Sequence, residues 1–235
     1  ESNASFPEES AGDSSVGEPV DTVGNDSSSA PEPPQAAAIN RPNPMRAVYL
    51  QPGVDYPVAG SEEVIRSGID AALGEAQALG MNTVIALPQG EEGAVYQTSQ
   101  VRSVNQETDI FGLLVDEARA QGFAVYALYS AAVYPTDNRL LLQSVLDMDI
   151  IDFAYRNAQE FAGRYSLDGL LIDHYYNEPS AYSYALYIRS SAGIGYLPYM
   201  RSLSEALCSA VLEAFRLQSP ATQVGLVVDG VWENA

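Results

Sequence analysis

Short apolar runs alternate with helical segments along most of this chain, at a spacing of roughly 40 residues. The predicted strands share an apolar, β-branched composition and lie at 46–50, 82–87, 123–129, 169–172 and 223–228. Strands that alternate with helices form a parallel sheet with right-handed crossovers. The pattern therefore predicts an α/β fold, for which a doubly wound sheet and a barrel are the two alternatives.

The first two helices have recognisable ends. Ser61 precedes an apolar stripe of helical period as a capping residue would, and Gly80 follows the last residue of the stripe. Asp109 and Gly122 bound a second helix in the same way. The later elements are set by periodicity alone, which predicts helices at 137–147, 150–164 and 199–217 and a long loop at 175–198.

The number of strands bears on the choice between sheet and barrel. No strand is followed by G-x-G-x-x-G, so a dinucleotide-binding sheet loses support. A barrel of eight strands takes about 250 residues, and this chain supplies five predicted strands. The barrel version is thus a (β/α)8 TIM-barrel type with only the first five strand–helix units present, and its first and fifth strands would be apolar edges.

Acidic residues dominate the charge of the 235-residue chain. Asp and Glu number 31 against 11 Lys and Arg, the net charge is −20, and residues 1–40 contain no Lys or Arg. This leader is rich in Ser and Pro and lacks the apolar surface that would offset the entropy of ordering. We predict a disordered acidic Ser/Pro-rich linker at 1–43 and the N-terminal part of a TIM barrel at 44–235.

Composition also excludes several classes of function. No run of 18 or more apolar residues is present, so we expect no transmembrane segment. A single cysteine, Cys208, excludes an internal disulfide framework, and its helical context predicts a small buried apolar side chain. The absence of a basic cluster argues against nucleic acid as a partner.

The acidic leader suggests a location. Such segments commonly tether an exported bacterial domain, so we expect an extracellular or cell-surface protein, as a lipoprotein with its lipid anchor upstream of residue 1 or as a secreted form. The alternative is the boundary of a cloned fragment from a cytosolic protein.

Asp173 is the best candidate for a catalytic residue. It ends the predicted fourth strand, and the carboxyl ends of parallel strands are where ligands bind in sheets and barrels. A carboxylate at that point costs free energy unless it is hydrogen-bonded or functional. The alternative is that Asp173 caps the next turn.

Glycoside hydrolysis would require a second carboxylate near Asp173. The two lie about 5–5.5 Å apart in retaining enzymes and about 6.5–9.5 Å apart in inverting ones. Asp229, after the fifth strand, and Glu178, in the loop after the fourth, are equal candidates, with Glu233 behind them. For Glu178 and Glu233 the simpler interpretation is a solvated loop charge.

His174 is the only histidine, and aromatic residues cluster around the predicted strand ends. Without a second His or Cys nearby, zinc is disfavoured, whereas a site of oxygen ligands stays open; we expect no cofactor. A tyrosine offers an apolar face to a sugar ring and a hydroxyl to its edge. The candidate substrate-binding residues are Tyr49, Gln51, Tyr96, Tyr129, His174, Tyr175, Tyr176, Trp232 and Glu233.

Short segments along the chain resemble, in order, one family of bacterial surface proteins. They are R-A-V-Y-L at 46–50, L-G-M-N-T-V at 79–84, A-V-Y-Q-T-S at 94–99, E-A-R-A-Q-G-F-A-V-Y-A at 117–127, Y-S-L-D-G-L-L-I-D-H-Y at 165–175 and G-V-W-E-N at 230–234. On these segments the chain resembles the glycosyl hydrolase-like 10 family (GHL10).

The resemblance implies a (β/α)8 barrel, export and glycosidase activity, with bacterial cell-wall or other glycans, such as peptidoglycan strands, as substrates. It departs from the family pattern where His174 replaces a second acid and Glu233 replaces an arginine. The hypothesis is therefore a polysaccharide-acting glycoside hydrolase with two catalytic carboxylates. The alternatives are a catalytically degenerate glycan-binding surface module and a structural spacer.

Overall fold

The computed structural model describes residues 42–90, 92–131, 133–135, 140–142, 148–175, 181–190 and 193–228. Of the predicted linker at 1–43, only residues 42 and 43 are among them. The elements in chain order are β1 (Ala47–Leu50), α1 (Glu62–Ala78), β2 (Thr83–Ala86), β3 (Gln89–Gly90), β4 (Gly93–Ala94), α2 (Ile110–Ala120), β5 (Ala124–Ser130), β6 (Val133–Pro135), β7 (Leu140–Leu142), α3 (Met148–Arg164), β8 (Gly169–Asp173), α4 (Ala181–Ser190), α5 (Tyr196–Gln218) and β9 (Gln223–Leu226).

Within the described residues, the main sheet has five strands in the order β1-β2-β5-β8-β9, and all its pairings are parallel. Each main-sheet strand lies beside the one before it, so the order never reverses. A doubly wound sheet has a point of reversal, whereas a barrel does not. The sheet is therefore a partial (β/α) barrel, and the prediction of five strand–helix units is confirmed.

The two faces of the sheet differ in burial. One face, here called the helix face, carries buried residues that belong to the hydrophobic core, among them Leu50, Ala86, Ala127, Leu170 and Ile172. The other, here called the open face, carries Tyr49, Ile85, Leu128, Leu171 and Asp173, which are all partly or well exposed. Tyr126 and Ser130 of β5 share this face and are buried. In a barrel the open face is the interior.

The predicted helix ends are confirmed. The Ser61 hydroxyl accepts a hydrogen bond from the backbone of Val64 at 3.4 Å. Asp109 caps α2 in the same way, and Gly80 and Gly122 adopt positive φ past the ends of α1 and α2. None of the helices in the described part of the chain is both long and apolar enough to cross a bilayer.

Two predicted elements are wrong. The described portion of the helix predicted at 137–147, Leu140–Leu142, is a strand that pairs antiparallel with Val133–Pro135. The loop predicted at 175–198 contains the helix α4, and α5 begins at Tyr196 instead of 199. In both places local composition favours one structure and pairing with a neighbouring element selects another.

Candidate functional site

Asp173 ends β8 at the carboxyl edge of the sheet. It is paired in register with Ser130, the last residue of β5. Its side chain is 24% exposed, and strand alternation puts it on the open face, away from the helical layer. Asp173 is therefore accessible from the side of the sheet that forms the interior of a barrel.

The backbone that follows orients the Asp173 carboxylate. Oδ1 accepts a hydrogen bond from the backbone N–H of His174 at 2.7 Å, and Oδ2 lies 3.7 Å from Nδ1 of the same histidine. His174 has a φ of 50°, a left-handed conformation that side chains seldom adopt. The turn after β8 thus places an imidazole directly beside the carboxylate.

Ser130 is a part of the site that the sequence did not reveal. Its hydroxyl lies 3.1 Å from Nδ1 of His174, and the residue is buried. Only its position as the lateral neighbour of Asp173 in a parallel sheet could have identified it, and that requires the register of β5 against β8.

Tyr49 interacts electrostatically with Asp173 and with a second acid, Asp55. It lies on the open face of β1, and 43% of it is exposed. Burial raises the pKa of its hydroxyl above the ordinary value, and the negative charges of Asp55 and Asp173 raise it further. Asp55 also accepts a hydrogen bond from the backbone of Gln51, directly after β1, so it joins the candidate residues at the carboxyl edge of the sheet.

Gln51 and Tyr175 flank this arrangement. Gln51 is exposed directly after β1, and its backbone N–H donates to Oδ2 of Asp55 at 2.6 Å. Tyr175 is half-buried and packs against the hydrophobic core. Neither position conflicts with the predicted role in binding substrate.

Tyr96 and Tyr129 are wrong as substrate-binding residues. They are 0% and 1% exposed, and both rings pack among the helices, where each contacts Phe161. Their hydroxyls are hydrogen-bonded to Asn157 on α3. Tyr129 lies on the helix face of β5, because a shift of one residue along a strand changes the face on which a side chain lies. Tyr96 lies beyond β4, outside the main sheet.

Five predicted site residues lie outside the described part of the chain. They are Tyr176, Glu178, Asp229, Trp232 and Glu233.

A cleft of about 400 Å³ opens beside the edge strand β9, between it and α5. Its lining includes Cys208, Phe215, Val224 and Leu226, and it does not include Asp173. Cys208 is half-buried and not fully buried as predicted, and burial raises the pKa of its thiol to about 11. The cleft has a mixed lining, since Ser209, Arg216 and Thr222 also contribute to it.

No group of three or more His, Cys, Asp or Glu side chains within the described ranges is arranged to hold a metal ion. The described site offers the carboxylates of Asp173 and Asp55, the imidazole of His174, the phenol of Tyr49 and the hydroxyl of Ser130.

Solved structures with a similar fold include glycoside hydrolases. Alpha-L-fucosidase isoenzyme 2 from Paenibacillus thiaminolyticus matches with a TM-score of 0.59 at 14% identity, over 78% of this chain and 32% of that one. The PgaB (BpsB) glycoside hydrolase domain from Bordetella bronchiseptica matches with a TM-score of 0.50 at 11% identity, over 76% of this chain and 64% of that one. No family model matches the chain, and no curated protein matches it either.

At these identities the likeness shows the fold alone. The chain adopts part of the barrel on which those hydrolases are built, and it spans less than two thirds of the length of either one. The activity must be argued from the site.

Proposed function

We propose that this protein is a glycoside hydrolase that acts on a bacterial cell-wall or related polysaccharide and uses Asp173 as one of two catalytic carboxylates. The observation that carries the proposal is the position of Asp173, on the open face at the carboxyl end of a barrel strand. In characterised TIM-barrel enzymes that edge holds the active site. The likeness to glycoside hydrolase structures supports the same class.

Tyr49 supports a sugar as the substrate. Its ring is exposed on the same face of the sheet as Asp173, and its hydroxyl lies within the field of that carboxylate. A sugar ring packs its apolar face on such a ring and directs its hydroxyls to the polar groups around it.

The second carboxylate has four candidates, of which Glu233 ranks behind the others. Asp229 and Glu178 follow β9 and β8 closely in sequence, as a residue at the same edge of the barrel would. Asp55 is the candidate that the structure adds, because it acts on Tyr49 together with Asp173. Exchanging each for its amide identifies the partner, since the true one lowers turnover by about 10²–10⁴-fold.

Export to the cell surface remains part of the proposal. The acidic leader at 1–43 and the GHL10 resemblance support it, with a lipid anchor upstream of residue 1 as one route. Protease treatment of intact cells tests it: a surface protein is degraded, and a cytosolic protein is protected.

A glycan-binding module without catalysis is the second candidate. It is favoured by His174, which occupies the position where the GHL10 pattern has another acid. Such a module would bind glycan and release no reducing ends.

Hydrolysis of a glycan panel separates the two functions. Peptidoglycan strands and neutral bacterial polysaccharides are incubated with the wild type and with Asp173→Asn, and new reducing ends are counted. Release by the wild type that Asp173→Asn abolishes supports the hydrolase. Binding by both proteins with no release by either supports the module.

A further inference from the structure

Ser130 and His174 are in contact at the carboxyl ends of β5 and β8. Ser130 Oγ lies 3.1 Å from His174 Nδ1, within hydrogen-bonding distance. Ser130 is buried at the end of β5, whereas the His174 side chain is 45% exposed. β5 therefore holds the Nδ1 edge of the His174 ring, and the rest of that ring is exposed at the carboxyl edge of the sheet.

We infer that Ser130 is a positioning residue whose hydroxyl donates to Nδ1 and thereby fixes His174 as the neutral tautomer with its proton on Nε2. A hydroxyl is both donor and acceptor, so the contact alone allows either direction. The direction of donation follows from whether the hydroxyl of the buried Ser130 keeps an acceptor. If Nδ1 carried the proton, the Ser130 hydroxyl would need another acceptor, and no hydrogen bond from it to a second acceptor is found in the described part of the chain.

The Asp173 carboxylate opposes this assignment but is the weaker effect. Its Oδ2 lies 3.7 Å from Nδ1 and would favour a proton there. Both side chains of that pair are partly exposed, and solvent reduces the value of such a contact. Leaving the Ser130 hydroxyl without an acceptor destabilises the protein by more than the exposed contact between Asp173 and His174 stabilises it.

The backbone reinforces the orientation. The left-handed conformation of His174 turns the chain at the end of β8, and the backbone N–H of Ala131 donates to the carbonyl of Asp173 at 2.9 Å. The serine and the histidine are thus anchored on two strands joined by that bond. Ring geometry then directs Nε2 away from Ser130.

The role of Nε2 rests on the proposed function. As a neutral N–H donor beside Asp173, it would donate to a hydroxyl or ring oxygen of the bound sugar. His174 would then touch the substrate, and Ser130 would act through it.

Because His174 is the only histidine in the chain, its imidazole nitrogens give one assignable set of ¹⁵N resonances. The tautomer is measured on the 235-residue chain at a pH where the imidazole is neutral, since protonated and bare ring nitrogens have well-separated shifts. We expect the proton on Nε2 in the wild type. Ser130→Ala should move the population several-fold towards Nδ1, where Asp173 attracts it, and Ser130→Thr, which keeps the hydroxyl, should resemble the wild type.

The inference is overturned if the wild type carries its proton on Nδ1, or if Ser130→Ala leaves both nitrogen shifts unchanged. The wild-type measurement stands even if Ser130→Ala fails to fold. Activity gives a separate readout: Ser130→Ala should lower kcat/KM on a hydrolysed glycan by about tenfold. A tautomer shift without any glycan hydrolysis would uphold the positioning role and refute the proposed function.

Discussion

The side-chain oxygen of Asn157 accepts a hydrogen bond from the hydroxyl of Tyr96 at 3.1 Å. Its amide nitrogen donates to the hydroxyl of Tyr129 at 2.9 Å. All three residues are buried, and one amide from α3 bonds both tyrosines that the sequence had suggested for substrate binding. The Tyr96 hydroxyl also accepts a hydrogen bond from Nε2 of Gln89 at 2.8 Å. Through Asn157, Tyr129 connects β5 to α3, and Tyr96 connects the segment after β4 to the same helix.

Asn157→Leu should destabilise the fold by about 2–4 kcal/mol, because two buried hydroxyls each lose a partner. Urea unfolding of the variant against the wild type measures the loss. The matched control combines Asn157→Leu with Tyr129→Phe. This double variant removes one of the two hydroxyls that lost a partner, so it should recover part of the lost stability. A loss below about 0.5 kcal/mol for Asn157→Leu would show that the network contributes little.

Gly169 allows the ring of Tyr126 to lie across β8. The two residues are in register, a Cβ at Gly169 would overlap that ring, and the Tyr126 hydroxyl reaches Gln223 on β9 at 2.8 Å. Gly169→Ala should therefore cost about 1–3 kcal/mol through overpacking. The pair Gly169→Ala with Tyr126→Ala should be less destabilised than the sum of the two single variants. Strict additivity of the three unfolding free energies would exclude the clash.

Glu160 should make the stability depend on acid pH. Burial raises the pKa of its carboxyl, but hydrogen bonds from the backbone and hydroxyl of Ser99, from Thr98 and from Arg164 outweigh burial and leave the pKa below the ordinary 4.5. The folded pKa is thus lower than the unfolded one. The contribution of Glu160 to the free energy of unfolding is present above pH 4.5 and is lost as the pH falls through the pKa of the folded state.

Urea unfolding of the wild type and Glu160→Gln from pH 7 to pH 3 measures this dependence. The variant should be less stable at pH 7, and the difference should shrink on acidification. Parallel curves over the whole range would mean that the Ser99 contacts do not distinguish the charged carboxyl from the neutral one.

Cys208 should react slowly with thiol reagents in the native protein. Its pKa is raised to about 11 by burial, so little thiolate exists near pH 8, and the thiolate is the reactive form. As the chain has one cysteine, a disulfide-exchange dye reports on this site alone. The rate in buffer should be at least about tenfold below the rate in denaturing urea. Equal rates would contradict a shielded thiol.

Much of the barrel follows from local chemistry. Ser61, Asp109, Gly80 and Gly122 mark helix ends through backbone needs that any fold would have to meet. The short strand Leu140–Leu142 could not be predicted, because three leucines suit a helix and become a strand only through pairing with Val133–Pro135. Non-local pairing of this kind leaves little trace in a sequence.

The site was predictable in part. Asp173 follows from its place at the end of a strand. The direction of Tyr129 did not follow, because β5 is apolar on both faces and its alternation carries no information about which side the helices cover. Ser130 and Asp55 were missed since their relevance depends on register and on a turn, which only coordinates supply.

The most direct test of the central claim is the kinetics of Asp173→Asn on a glycan that the wild type cleaves. Its matched control is Asp116→Asn, which neutralises an exposed carboxylate on α2. We expect kcat/KM to fall by about 10²–10⁴-fold for Asp173→Asn and to stay within about twofold for the control. Wild-type turnover by a folded Asp173→Asn protein would contradict the catalytic role of this carboxylate.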